Sequence, residues 1–113
     1  MLPRKHRLSK KEFNIAFKQK GQFFKKEFLK LKVVENNLGF SRFGISCGVK
    51  ISKLATRRNL VKRRISEALR TNLDKFNPGH DIIVMPEPRI LEESYQQIEE
   101  LLVKMISEVN IQK

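Results

Sequence analysis

The densest group of side chains able to do chemistry is cationic and occupies residues 57–64. It comprises Arg57, Arg58, Asn59, Lys62, Arg63 and Arg64. Guanidinium groups bind phosphate through a bidentate fork, and an asparagine amide can donate or accept at a sugar or base edge. Like charges one helical turn apart repel each other, and Glu67 is the one nearby acid that can relieve them. The run therefore favours binding of a polyanion over a solvated helix surface.

The histidines and the cysteine do not suggest protein-based catalysis. His6 and His80 have no cysteine partner and no paired carboxylates at ligand spacing. Cys47 alternates with Ile45 and Val49, which predicts a small buried residue. We therefore expect no catalytic residue and no metal site or cofactor held by the protein.

Charge is distributed unevenly along the 113 residues, whose net charge is +12. Residues 1–32 hold eleven basic and two acidic side chains, and residues 42–70 hold nine basic and one acidic. Residues 71–113 hold four basic and eight acidic side chains. One face should thus meet an anion and another should not. The partner is a nucleic acid, an acidic protein or an anionic membrane surface.

Length and composition limit the class of protein. The chain fits one domain over residues 1–113, and 40% hydrophobic residues supply a core. A single cysteine excludes an internal disulfide, and no apolar run approaches the ~20 residues that span a bilayer. The cationic N-terminus lacks the apolar segment of a signal peptide. We expect a cytoplasmic protein with no membrane partner and no evident obligate protein partner.

Periodicity predicts the elements that position these residues. Ser9 and Glu12 form a capping box that starts a helix over about 10–20, stopped by Gly21. Its apolar stripe carries Phe13, Ala16 and Phe17, and core packing is the ordinary role of helical phenylalanines such as Phe13 and Phe17.

Strand patterns follow this helix. Leu29, Leu31 and Val33 alternate with Phe28, Lys30 and Lys32, and a shorter strand is expected near Phe23-Phe24. A turn over residues 36–39 leads to a strand in which Phe43, Ile45, Cys47 and Val49 alternate with small residues. Residues 81–85 form a short buried strand before Pro86 and Pro88.

Two longer helices complete the pattern. The first, over about 53–72 and capped by Ser52, has an apolar side of Leu54, Val61, Ile65, Ala68 and Leu69. Its opposite side carries Asn59, Lys62, Arg63, Ser66 and Arg70. The second runs over about 90–109 with the stripe Leu91, Tyr95, Ile98, Leu102, Met105 and Val109, and its glutamates lie outside. The order α-β-β-(β)-α-β-α predicts an α/β (α+β) two-layer sandwich on a small mixed sheet.

Charge alone does not separate RNA from DNA, because a basic helix binds either. The turn pattern of a helix-turn-helix is missing. Arg58-Asn59-Leu60, followed by Lys62-Arg63, Glu67 and Arg70, resembles the signature helix of the bacterial ribonuclease P protein family, usually Arg-Asn-Arg with a trailing Lys-Arg. Further resemblance lies in Met1-Leu2-Pro3, Arg7-Leu8, Glu12-Phe13, Phe17, Gly21, Arg42 through Gly44-Ile45-Ser46 to Lys50, and Asp81 to Val84. Leu60 departs from the signature and removes one phosphate contact.

The resemblance implies a noncatalytic subunit of the endonuclease that removes the 5′ leader of precursor tRNA. Its RNA subunit would perform the chemistry and hold Mg²⁺. The residues implied to dock on that RNA are Lys53, Arg57, Arg58, Asn59, Lys62, Arg63 and Arg70. Those implied to line a cleft for the leader are Phe13, Phe17, Lys30, Leu31, Arg42 and Ser46. A structural ribosomal protein or a stand-alone nucleic-acid-binding regulator would also carry a basic helix.

Overall fold

The computed structural model describes residues 2–111, so the predicted similarity at Met1 and the ends of the predicted domain lie outside the described residues. The helices are α1 (Lys10–Lys18), α2 (Ala55–Thr71) and α3 (Tyr95–Ile111). The strands are β1 (Gln22–Lys26), β2 (Leu29–Glu35), β3 (Arg42–Ile45) and β4 (His80–Pro86). The order α1-β1-β2-β3-α2-β4-α3 confirms the predicted α+β fold.

The sheet has the spatial order β1-β2-β4-β3. β2 pairs antiparallel with β1 and with β4, whereas β3 runs parallel to β4, with α2 as the connection between them. A parallel pair needs such a crossover because a short turn cannot return the chain to the same end of the sheet. The strands β2 and β4 are the most deeply buried because each has a neighbouring strand on both sides.

One face of the sheet forms the main core with α2 and α3. Leu31 pairs with Val84, and Ile82 is flanked by Val33 and Phe43. The helices contribute the predicted stripes, because Val61, Ile65, Ala68 and Leu69 of α2 and Ile98, Leu102, Met105 and Val109 of α3 are all buried.

The opposite face of the sheet is covered only in part, by α1. Ala16 of α1 is buried, as are Ile83 and Val34 on that face of β4 and β2. The helix has nine residues and begins at the predicted capping box, since Ser9 Oγ accepts from the Glu12 N–H and Glu12 Oε1 accepts from the Ser9 N–H. A helix this short leaves the β1 side of the face open.

Gly21 does not stop α1 as predicted. The helix ends at Lys18, and Gln19 is already extended. Gly21 instead lies against β2, where a Cβ atom would come within 2.7 Å of the Val33 carbonyl oxygen. The glycine is needed for this close approach of two backbones rather than for a helix cap.

Several predicted boundaries were wrong. α2 starts at Ala55, and Ser52 Oγ accepts from the Leu54 N–H in a turn before the helix. Leu54, placed in the apolar stripe, is exposed because it precedes the first helical turn. β3 stops at Ile45, which leaves Val49 exposed.

The last helix starts five residues later than predicted. Residues Pro88–Glu92 form a 3-10 turn, and α3 is then capped by Ser94, whose Oγ accepts from the Gln97 N–H. The glutamates of this region are not all solvated, since Glu99 Oε2 accepts from the Asn72 amide 3.1 Å away.

Candidate nucleic-acid interface

The outer face of α2 presents cations that have no acidic partner nearby. Asn59, Lys62 and Arg63 are exposed there, and Arg57 and Lys53 are exposed near its start. Within residues 2–111, no carboxylate lies within 4 Å of the charged groups of Arg57, Lys62 or Arg63. The α2 surface, defined as these five residues, can therefore bind a polyanion without breaking internal ion pairs.

Two other arginines of α2 are held by backbone carbonyls. Arg58 Nη1 donates to the carbonyls of Ser52 at 2.9 Å and Lys53 at 3.1 Å, which fixes the loop entering the helix. Arg64 Nη1 donates to the Glu93 carbonyl at 3.0 Å and ties α2 to the segment before α3. Because carbonyls carry no net charge, both guanidinium groups keep their full positive charge.

Arg70 is the most compensated cation of α2. Its guanidinium donates to Glu67, and this hydrogen bond lowers the pKa of the Glu67 carboxyl. Arg70 thus remains exposed, but its charge is partly neutralised within the helix. It is a weaker candidate for phosphate binding than Lys62 or Arg63.

An open aromatic and basic surface, which we call the cleft, lies on the α1 face of the sheet. Phe13 and Phe17 stack at 5.9 Å between ring centroids with an interplanar angle of 20°. Phe17 is 49% exposed, so the stack is open to solvent at one end. Gly44 lies beneath Phe13, where a Cβ atom would come within 2.5 Å of Cδ2 of the ring. The Phe13 ring can therefore pack against β3 because Gly44 has no side chain.

The cleft floor is basic. Lys30 and Lys32 of β2 alternate with the core residues and so lie on the α1 face. Lys32 Nζ donates to the Phe17 carbonyl at 2.6 Å and lies 5.7 Å from the Phe17 ring centroid. An aromatic pair beside a cationic floor is the arrangement that binds single-stranded nucleic acid by stacking and charge.

An ion triad anchors α1 to the sheet. Arg42 donates to both carboxylate oxygens of Asp81, at 2.9 and 2.8 Å, and to Glu12 Oε2 at 2.6 Å. Asn36 Nδ2 also donates to Asp81. The hydrogen bonds from the Ser9 backbone and side chain, then the charge of Arg42, lower the pKa of Glu12. Arg42 is consequently committed to internal partners and is not a free phosphate ligand.

The described part of the chain contains neither a cluster of metal-ligating side chains nor a helix able to cross a bilayer. Within residues 2–111, no three His, Cys, Asp or Glu side chains cluster closely enough to hold a metal ion. In the same range, no helix has the length and apolarity needed to span a bilayer. Desolvation raises the pKa of the buried Cys47 thiol, which makes it a poor nucleophile.

Comparison with known proteins places the chain in a family. The family model for ribonuclease P matches residues 2–110. The chain belongs to the ribonuclease P protein family. It is 30% identical to the ribonuclease P protein component of Alkaliphilus metalliredigens, with 88% of each chain covered. It is 31% identical to that of a Picosynechococcus species, covering 97% of this chain and 95% of that protein.

Solved ribonuclease P proteins share the fold. The protein from Thermotoga maritima superposes with a TM-score of 0.75 at 29% identity, covering 84% of this chain and 88% of that one. The Staphylococcus aureus protein superposes with a TM-score of 0.77 at 23% identity, covering 93% and 94%. The chain thus has the fold of the solved ribonuclease P proteins.

The cleft residues implied by the ribonuclease P resemblance do not all meet in the structure. Phe13, Phe17 and Lys30 share the α1 face. Ser46 follows β3 and its N–H donates to the Val84 carbonyl, with its side chain half-buried. Leu31 does not line the cleft, because strand alternation turns its fully buried side chain into the opposite core.

Phe23 and Lys32 lie in the cleft but were not predicted as cleft residues from the sequence. Phe23 of β1 is 56% exposed, and it pairs with Lys32 on the α1 face. The alternation of β2 already places Lys32 on the side of Lys30, and extending it across the hairpin would have placed Phe23 there as well. The missing information was the pairing register of β1 with β2.

Proposed function

We propose that this protein holds the RNA subunit of ribonuclease P on the α2 surface and the 5′ leader of precursor tRNA in the cleft. The RNA subunit then hydrolyses the phosphodiester bond that joins the leader to the mature tRNA. The observation that supports this proposal is the presence of two separate cationic surfaces. The α2 surface belongs to the layer on one face of the sheet, whereas the cleft lies on the other face.

The α2 surface supplies affinity for folded RNA. Each phosphate contacted by an exposed cation releases counterions, which gives sequence-independent affinity that falls with salt. Asn59, exposed among these cations, offers hydrogen bonds to a sugar or base edge. A rigid helix presents these groups in fixed register, which suits docking on a preformed RNA surface.

The cleft supplies affinity for a flexible single strand. Stacking on Phe17 tolerates any base, so leaders of different sequence can bind. The ammonium groups of Lys30 and Lys32 neutralise leader phosphates that would otherwise repel those of the catalytic RNA. The protein thereby positions substrate, while Mg²⁺ is held by the RNA and supplies the charge stabilisation of the reaction.

Reconstitution tests the proposal. We expect the protein, added to a ribonuclease P RNA at low Mg²⁺ concentration, to stimulate cleavage of precursor tRNA at the mature 5′ end. RNA alone and protein alone serve as controls, and neither should match the mixture. A lack of stimulation over RNA alone, together with retained binding to ribosomal RNA, would instead indicate a structural ribosomal protein.

A further inference from the structure

The edge strand β1 carries an exposed phenylalanine beside two lysines. Phe23 is more than half exposed, and Lys30 Nζ lies 4.6 Å and Lys32 Nζ 5.6 Å from its ring centroid. A single exposed aromatic side chain is ordinary on a protein surface. Two ammonium groups lie over this ring, and the part of it that stays exposed offers a flat surface for a base, with cations nearby for its phosphates.

The ammonium group of Lys32 contacts only neutral groups among the described residues. The residue is 6% exposed, and its Nζ contacts the Phe17 carbonyl and the rings of Phe17 and Phe23, all of which are neutral. Within residues 2–111, no carboxylate lies within 4 Å of this ammonium group. A cation withdrawn from water without an acid partner is unfavourable, and a bound anion relieves it.

We propose that Phe23, Lys30 and Lys32 form a second stacking subsite that takes one nucleotide of single-stranded RNA. The exposed part of the Phe23 ring receives the base, Lys30 meets a flanking phosphate, and the buried Lys32 attracts the strand through its uncompensated charge. We call the stacked pair Phe13 and Phe17 the α1 stack, and the new group the β1 subsite. Lys32 lies between the Phe17 and Phe23 rings, so the same cation serves both. The inference rests on the proposed function, because the strand that reaches the β1 subsite is the leader.

The position of Phe23 determines which nucleotides of the leader the β1 subsite can contact. It lies on the edge strand, one strand further from β4 than Lys32. A leader bound against Phe13 and Phe17 must therefore extend across β2 before a base reaches Phe23. The β1 subsite adds affinity for long leaders and none for leaders that end at the α1 stack.

Leader shortening in the reconstituted holoenzyme tests the β1 subsite. Affinity for precursor tRNA is measured while the leader is shortened one nucleotide at a time, with wild type, Phe23→Ala, Phe23→Leu and Phe23→Tyr. We expect Ala and Leu to lose about fivefold affinity for long leaders, and Tyr to retain wild-type affinity, because stacking needs an aromatic face. The loss should vanish for short leaders and for long leaders carrying one abasic nucleotide at the contacting position.

Charge and folding are checked separately. Lys30→Met should lower the salt dependence of long-leader binding by about 0.7 in log K per log salt. Leu38→Ala, which truncates an exposed apolar side chain outside the cleft, should leave every affinity unchanged. Circular dichroism melting of each variant should match wild type, since Phe23 contributes little to the core.

The outcomes separate this inference from the proposed function. Equal losses at all leader lengths, or wild-type behaviour of Phe23→Leu, would overturn the β1 subsite. If Phe17→Ala still weakens leader binding in that case, the proposed function stands without it. If the wild-type holoenzyme shows no preference for leaders at all, the proposed function fails first.

Discussion

Lys62 and Arg63 lie on the exposed face of α2 and have no carboxylate of residues 2–111 within ion-pair distance. Their positive charge is therefore available to a partner outside the chain. Arg58, next to them in the signature, differs because its guanidinium also holds two loop carbonyls. Its replacement would combine lost charge with a disturbed loop, so Lys62 gives the cleaner experiment.

Lys62→Ala should lower the salt dependence of RNA-subunit binding. One lost phosphate contact reduces the slope of log K against log salt by about 0.7 to 0.9. The measurement is a titration of labelled RNA at several salt concentrations. Lys104→Ala removes an exposed lysine from α3 and should leave the slope at the wild-type value. Equal slopes for wild type and Lys62→Ala would remove Lys62 from the interface.

Leu60→Arg should strengthen RNA-subunit binding. Leu60 stands where the family signature has its second arginine, and its side chain is 37% exposed on α2. A new guanidinium there can reach a phosphate and contribute about 1 kcal/mol, or about fivefold in affinity. Leu60→Gln, polar but uncharged, is the control. A gain of the same size for both variants would rule out the charge as its cause.

At the scale of elements, the Glu12–Arg42–Asp81 triad sets where α1 sits on the sheet. Arg42→Met leaves the buried Asp81 carboxylate without its bidentate partner, and breaking such a pair costs about 3 kcal/mol or more. We expect a lower free energy of unfolding in urea and weaker leader binding. Arg42→Lys keeps the positive charge but cannot donate the bidentate hydrogen bonds to Asp81. We expect it to lose an intermediate amount of stability and of leader affinity. A stable Arg42→Met protein with full leader affinity would contradict this role of the triad.

The hydrogen bonds of Glu12 with Ser9, and then the charge of Arg42, also predict a pH dependence of stability. Because folding lowers the pKa of Glu12, the ionised carboxylate favours the folded state above the ordinary glutamate pKa. That contribution is lost as the pH falls through the lowered pKa. Urea unfolding at a series of acidic pH values should therefore show a smaller decline for Glu12→Gln than for wild type. Parallel declines would show that Glu12 does not contribute.

Gly44→Ala should disturb the aromatic stack. The added methyl group would overlap the Phe13 ring, so the ring or α1 must shift. Overpacking of this kind costs about 1–3 kcal/mol. Leader affinity should fall together with the free energy of unfolding in urea. Gly48→Ala, where a Cβ atom meets no neighbour within 4 Å, is the matched control and should be neutral.

The sequence predicted the helices and strands better than it predicted which residues line the cleft. The capping box at Ser9 and the apolar stripe of α2 are local patterns, so periodicity located them. Leu31 was misplaced because the resemblance gave a position along the chain, whereas the strand pleat decides the face. The partners of Arg42 lie 30 and 39 residues away, which no local pattern reveals. Phe23 required the β1–β2 register.

At the scale of the whole molecule, the fold keeps two cationic surfaces apart. The core of α2, α3 and one sheet face fixes the α2 surface, while α1 and the other sheet face form the cleft. The acidic C-terminal third supplies α3, which packs against β1 and α2 rather than adding to either surface. Under the proposed function, a catalytic RNA and a substrate strand bind at the same time without competing for the same cations.

The most direct test of this account is a comparison of holoenzyme affinity for precursor tRNA and for mature tRNA. With the protein present, precursor tRNA should bind more tightly, and Phe17→Ala should reduce that preference without changing the affinity for mature tRNA. With the RNA subunit alone, the preference should be smaller. Equal affinity for the two tRNAs in the presence of the protein would contradict the account.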